Sequence, residues 1–104
     1  MVCAATGNNG ANTVNFPAAL NGVIAVAAKQ GNQLAPYSNY GAGTALALPG
    51  ASVVYLNGQA FLVQGTSPAT AFAAGVAAGS KSNGTMTWAQ ILASMQKQFP
   101  VPAK

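Results

Sequence analysis

Aspartate, glutamate, histidine and arginine are all absent from the 104 residues. An ordinary chain is about 25% charged and roughly half of that is acidic, so about a dozen carboxylates would be expected, and drawing none has a probability on the order of one in a million. The absence is therefore not chance, and with nine Asn and seven Gln it suggests systematic acid-to-amide replacement; as it stands the sequence excludes several kinds of chemistry. Paired carboxylates cannot act as general acid and base, and no imidazole can activate a hydroxyl or thiol. Hard cations need oxygen clusters that usually include carboxylates, so neither a metal nor a cofactor is expected. The net charge of +4 comes from Lys29, Lys81, Lys97 and Lys104 alone. They are scattered along the chain, which is not the clustered pattern of a nucleic-acid surface. The single cysteine, Cys3, cannot form an internal disulfide and reads as a small buried thiol, leaving the compartment open. No run of 18 apolar residues is free of polar groups, so no membrane span is expected, and Met1-Val2-Cys3 does not resemble the basic start of a signal peptide.

What is present is apolar or amide-bearing: 51% of residues are hydrophobic, and there are nine Asn and seven Gln. The length corresponds to one domain or part of one, with a core of marginal size. Met1 to Ala5 reads as a short buried strand opening into a loop at Thr6-Gly7-Asn8, and open α/β sheets bind ligands at such strand ends. Phe16 to Leu20 suits a short helical turn. The continuously apolar Val23 to Ala28 suits a parallel strand covered on both faces. Gly31 to Thr44 reads as a loop and Ala45 to Leu48 as a strand closed by Pro49-Gly50. Ser52 to Leu56 and Gln59 to Val63, joined at Asn57-Gly58, carry the strongest short hairpin signal.

The stretch that organises the chain is Gly65 to Gly75, where a strand-like run ends in a tight turn and an almost all-small helix begins, running to about Ser80. Pro68 suits the first helical position, which places Ser67 at or beside the N-cap, and by itself Ser67 reads as a capping serine. With Ala at 69, 71, 73, 74, 77 and 78 and Gly at 75 and 79, the helix has no polar face and looks like one buried inside a domain. A last helix starts at Thr87, where Thr-Trp-Ala-Gln fits a capping box and Trp88, Ile91, Leu92, Met95 and Phe99 recur at helical spacing. No internal repeat is present.

Gly65-Thr66-Ser67 followed by Ala-x-x-x-Ala-Gly resembles the nucleophile segment of the subtilisin-like serine proteases, the subtilases. Other segments match in family order. Ala4-Ala5-Thr6-Gly7-Asn8 resembles the family's oxyanion segment, with Thr6 in place of a small residue. Phe16-Pro17-Ala18-Ala19 with Val23-Ile24-Ala25-Val26-Ala27, then Ser38-Asn39-Tyr40-Gly41, then Leu48-Pro49-Gly50 resemble later blocks. Asn9 and Gln30 stand where the family often carries acids, Phe72 where many members have a non-catalytic histidine, and Pro68 where a methionine is usual.

The resemblance implies an α/β fold: the C-terminal portion of a subtilisin-like parallel-sheet sandwich with a buried central helix. It makes Ser67 the nucleophile, Asn8 the oxyanion donor together with the Ser67 N–H, and Ala4, Ala5, Thr6 and Gly7 the wall of a substrate pocket. In subtilases the aspartate and histidine of the triad precede the oxyanion asparagine. The sequence thus looks like the rear half of the machinery, inactive alone, with a peptide or protein as substrate once completed. The calcium common in the family is not carried over. A secreted location is implied, and the expected partner is the missing N-terminal half of the domain or copies of the same chain. The other reading is a non-enzymatic structural or self-assembling module in which Ser67 is only a cap and Asn8 only a turn residue.

Overall fold

Parallel pairing sets the frame. A computed structural model describes all 104 residues, and its central strand is the apolar run picked out above, β2 (Val23–Gln30), in which Ala25 to Ala28 are fully buried. β1 (Val2–Ala5) lies parallel to it with Val2 opposite Val23 and Ala5 opposite Val26. The two-residue β3 (Gln33–Leu34) folds back antiparallel against Lys29 and Gln30, a short strand inside the segment expected to be loop. β4 (Thr44–Pro49) runs parallel along the other edge of β2, with a register irregularity at Ala25/Val26. Each strand that flanks β2 is paired on one side only.

After Gly50 the chain forms a separate antiparallel ribbon, β5 (Ala51–Leu56) and β6 (Gln59–Gln64). The Asn57-Gly58 turn has both central residues at positive φ, 52° and 77°, as the hairpin signal requires. The ribbon is nevertheless exposed on both faces: Val53, Tyr55 and Leu62 on one, Val54, Leu56 and Phe61 on the other. This explains the imperfect apolar alternation of the two strands.

α1 (Thr66–Ser82) crosses one face of the four-stranded sheet, and α2 (Trp88–Gln98) packs beside it. The core joins Val26, Ala28, Leu46 and Leu48 of the sheet to Ala69, Ala73 and Ala77 of α1 and to Ile91 and Met95 of α2. Alanines at i, i+4 and i+8 let the helix approach the sheet closely, as a close-packed interior requires. The rest of α1 differs from expectation. Ala71, Phe72, Ala74, Gly75, Ala78 and Gly79 face solvent, so the helix is covered along one stripe. On the opposite sheet face Ala27, Leu34 and Ala47 form a second small cluster under Tyr40 and Val101.

α2 follows its sequence signals closely. The Thr87 hydroxyl accepts from the Gln90 N–H at 3.2 Å, and the Gln90 side chain accepts from the Thr87 N–H at 2.8 Å, completing the capping box. Between the helices, Lys81 donates to the Met86 carbonyl at 3.0 Å and lies 5.2 Å from the Trp88 ring centre. Lys81 and Lys97 sit in the last turns of their helices, where the macrodipole favours positive charge. No helix is long and apolar enough to cross a membrane.

Candidate functional site

The C-terminal end of β1, the loop after it and the start of α1 meet at one point. α1 starts two residues earlier than its proline suggests. Gly65 is the N-cap, Thr66 and Ser67 are the first two helical residues, and Pro68 is the third. Proline fits there because the first-turn N–H groups have no intrahelical partner in any case. Ser67 is therefore not the capping residue: the cap comes from a residue 58 positions away. Asn8 Oδ1 accepts the Thr66 N–H at 2.8 Å and the Thr66 hydroxyl at 2.8 Å. The Thr66 hydroxyl in turn accepts the Gly7 N–H at 3.3 Å.

This junction needs two glycines. Gly65 has φ 149° and ψ −178°, a region essentially reserved for glycine, and a Cβ there would lie 3.2 Å from Asn8 Nδ2. Gly7 has φ 118° and is hemmed in by the side-chain amides of Asn15 and Asn39, which leave no room for a Cβ.

Asn8 and Ser67, expected from the sequence to act together, are both exposed and are carried to the same end of α1 by the bonds to Thr66. Asn8 uses only its carbonyl oxygen in protein hydrogen bonds, leaving its NH2 group free to donate. Ser67 lines an open cavity of about 650 Å³ between the ribbon and α1, with Val54, Val63, Pro68, Ala71 and Phe72 among its walls. Phe72 is half-exposed and stacks edge-on against Phe99, with ring centres 6.3 Å apart. Of the expected pocket wall, Ala4, Ala5 and Gly7 are half-buried at the end of β1. Thr6 is fully buried, and its hydroxyl donates to the Asn39 carbonyl at 3.0 Å, so its side chain braces the wall from behind. The chemistry available is that of an exposed hydroxyl, a free side-chain NH2 and the positive end of a helix dipole, with no acidic residue in the first turn to oppose an incoming anion.

Three contributors had no role in the sequence reading. Thr66 holds Asn8, Asn39 holds the loop around it, and Asn15 faces Asn9 across 3.5 Å. Thr66 adjoins the nucleophile candidate, so proximity in sequence pointed to it, whereas Asn39 stands in the Ser38-Asn39-Tyr40-Gly41 block with no sign of a role at the site. Nothing local singles out Asn15. Cys3, half-buried in β1, has its thiol pKa raised by burial, partly offset by the nearby N-terminal ammonium.

The sequence profile of the subtilase family matches residues 1–99. The alkaline elastase YaB of a Bacillus species is 48% identical over 82 residues, covering 75% of this chain and 21% of that protein. The thermostable alkaline protease of Halalkalibacterium halodurans is 42% identical over 85 residues, covering 79% of this chain and 24% of that protein. Among solved structures, a cold-adapted subtilisin-like serine proteinase superposes with a TM-score of 0.72 at 30% identity, over 86% of this chain and 34% of that one. The prenylagaramide maturation protease PagA gives 0.69 at 30% identity, over 94% and 34%. The chain thus spans about a quarter of the length of the protein relatives it matches and about a third of those structures. With the profile running through almost every residue and the fold shared, this chain belongs to the subtilase family and covers part of its protease domain.

Proposed function

We propose that the chain carries the nucleophile and oxyanion segments of a subtilisin-like serine endopeptidase: Ser67 attacks the scissile carbonyl, and the Asn8 NH2 and Ser67 N–H receive the oxyanion. The observation that carries this reading is the anchoring of Asn8. Its oxygen is tied to Thr66, one residue before Ser67, while its NH2 stays free at the same helix end. A mere turn residue has no need of a partner 58 positions away. Donors fixed before the reaction stabilise developing charge without reorganisation. Ala4, Ala5, Thr6 and Gly7 would flank the substrate, with Thr6 acting through its brace on Asn39. The chain has no His and no Asp. Proton transfer from Ser67 therefore requires groups from another segment, and the chain alone is inactive toward peptides.

The test is kinetic. The region of a subtilase relative that precedes its oxyanion segment, supplying Asp and His, is fused ahead of Val2, and peptide hydrolysis is measured. Ser67→Ala should abolish turnover, and Asn8→Ala should lower kcat by roughly two to three orders of magnitude with KM little changed. Full turnover in the Asn8→Ala fusion would remove Asn8 from the mechanism.

One observation favours a second reading, a self-associating structural module. The accessible surface is 6004 Å², against about 5,400 Å² for a typical folded monomer of this mass. The excess is carried by an apolar ribbon and an uncovered helix face, surfaces of the kind that recruit other chains. The two readings are compatible if what covers those surfaces also brings the missing base.

A further inference from the structure

We infer that Asn39 is a positioning residue for Asn8, a buried clamp that fixes the loop on both sides of Asn8 without touching Asn8 itself. Its value for catalysis rests on the oxyanion reading above. The clamp itself stands on the hydrogen bonds. Asn8 is exposed, and its own side chain is held only through Oδ1. The direction of its free NH2 therefore depends on the backbone from residue 6 to residue 11, a loop with glycines at positive φ at positions 7 and 10 that is tied at its start by the Thr6 N–H to the Val26 carbonyl at 3.0 Å and near its end by the Gly10 N–H to the Tyr37 carbonyl at 2.8 Å. Left alone, such a segment would sample many conformations.

Asn39 removes that freedom from both directions. Ahead of Asn8, its N–H donates to the Gly7 carbonyl at 2.9 Å, its Nδ2 donates to the Thr6 carbonyl at 3.3 Å, and its own carbonyl accepts the Thr6 hydroxyl at 3.0 Å. Beyond Asn8, its Oδ1 accepts the Asn9 N–H at 2.9 Å and the Ala11 N–H at 3.1 Å. Five bonds thus bracket one exposed residue, from a residue with no accessible surface. The clamp is itself anchored on the central strand, because the neighbouring Ser38 hydroxyl accepts the Ala28 N–H at 2.9 Å. A carboxamide offers an acceptor able to take two N–H groups and, on a separate atom, a donor for a carbonyl, without placing a charge in the interior. The chain of constraint therefore runs from β2 through Ser38 and Asn39 to the loop, and from the loop to the Asn8–Thr66 contact.

The test uses the 104-residue chain itself, labelled with ¹⁵N, in parent, Asn39→Ala and Asn8→Ala forms. Two signals report the position of Asn8: the pair of side-chain NH2 resonances of Asn8, and hydrogen exchange of the Thr66 N–H that Asn8 accepts. Amides of Ile91 and Phe99 in and after α2 report general folding. In Asn39→Ala the Thr66 N–H should exchange at least about tenfold faster, approaching its rate in Asn8→Ala, while Ile91 and Phe99 stay within about threefold of the parent. The Asn8 NH2 pair should move to the averaged position of a free asparagine. Unchanged Thr66 and Asn8 signals would overturn the assignment. If Asn39→Ala loses protection throughout, Asn39→Ser decides, because it is neutral and its hydroxyl is too short to bridge Asn9 and Ala11 to Thr6. Thr66 exchange at least about tenfold faster than the parent, with Ile91 and Phe99 within about threefold, then supports the clamp, and any other pattern refutes it. The outcome is separate from that of the fusion enzyme. A clamp that holds Asn8 where Asn8→Ala leaves turnover intact would sink the oxyanion role alone.

Discussion

Replacing Thr66 by Val removes the link between the start of α1 and the loop that carries Asn8 while leaving the volume of the side chain almost unchanged. Thr66 is 1% exposed, so no rearranged water can substitute readily for its hydroxyl. Two hydrogen bonds disappear, the one donated to Asn8 Oδ1 at 2.8 Å and the one accepted from the Gly7 N–H at 3.3 Å. At about 1 kcal/mol for each, with a further cost for leaving the half-buried Gly7 N–H unpaired, the expected loss is about 2 to 3 kcal/mol. Asn8 Oδ1 keeps the Thr66 N–H, so the cap on the helix survives in weakened form. Urea unfolding followed by Trp88 fluorescence reads the effect as a lower midpoint at unchanged slope. Thr70→Val is the control. Its hydroxyl only bonds back to the Thr66 carbonyl one turn earlier, and the change should stay within about 0.5 kcal/mol. A double-mutant cycle with Asn8→Ala should return a coupling of about 1 kcal/mol. Thr66→Val indistinguishable from Thr70→Val, or a coupling of zero, would show that the junction contributes nothing to the fold and that Asn8 is not held there.

Other consequences are as direct. With no Asp, Glu or His, no side chain titrates across the acid range, so stability should be flat between about pH 5 and 7, where proteins with paired carboxylates lose it on acidification. On the alkaline side Cys3 sets the sign. Burial raises its folded pKa above that of the unfolded thiol, so its contribution is complete below the unfolded value and is lost as pH rises through the higher folded one; Cys3→Ala should flatten that limb of a pH-dependent unfolding series. Ile91→Ala opens a void between α2 and the sheet at a fully buried position and should cost about 2 to 5 kcal/mol in the same urea assay. At micromolar concentration the chain should sediment as more than a monomer. Tyr55→Lys with Leu62→Thr on the outer ribbon face should shift it toward about 10 kDa and remove the dependence of the urea midpoint on protein concentration, and a monomeric parent would show that the ribbon does not recruit a partner.

The sequence made most of the architecture legible where one local rule decided it. The Asn57-Gly58 turn, the Thr87 capping box and the continuously apolar β2 each rest on a few adjacent residues, and each appears as expected. The start of α1 differs from the expectation because the proline rule describes a preferred position and not the only permitted one, and the N–H groups of the whole first turn lack intrahelical partners. The exposure of α1 was not legible either. A helix of small residues signals close approach to something, and only the structure shows that within this chain the approach is on one side. At the site, residue types proposed Ser67 and Asn8, but what holds them is non-local. The cap on Thr66 comes from 58 positions away and the bonds of Asn39 to Asn9 and Ala11 from 30 and 28, distances over which no periodicity or spacing carries information. The amides of Asn39 and Asn15 looked like two of nine ordinary asparagines until the fold brought them against Gly7.

Under the proposed function Ser67 is a nucleophile whose base comes from a segment other than residues 1–104. Fluorophosphonate labelling with peptide mapping of the adduct addresses it most directly, performed on the 104-residue chain and on the fusion that supplies Asp and His. An unassisted hydroxyl is a poor nucleophile at neutral pH, so Ser67 should remain unmodified in the chain alone and become stoichiometrically labelled in the fusion. Stoichiometric labelling of Ser67 in the chain alone would reveal a base within residues 1–104, and an unlabelled Ser67 in a folded fusion would contradict its assignment as nucleophile.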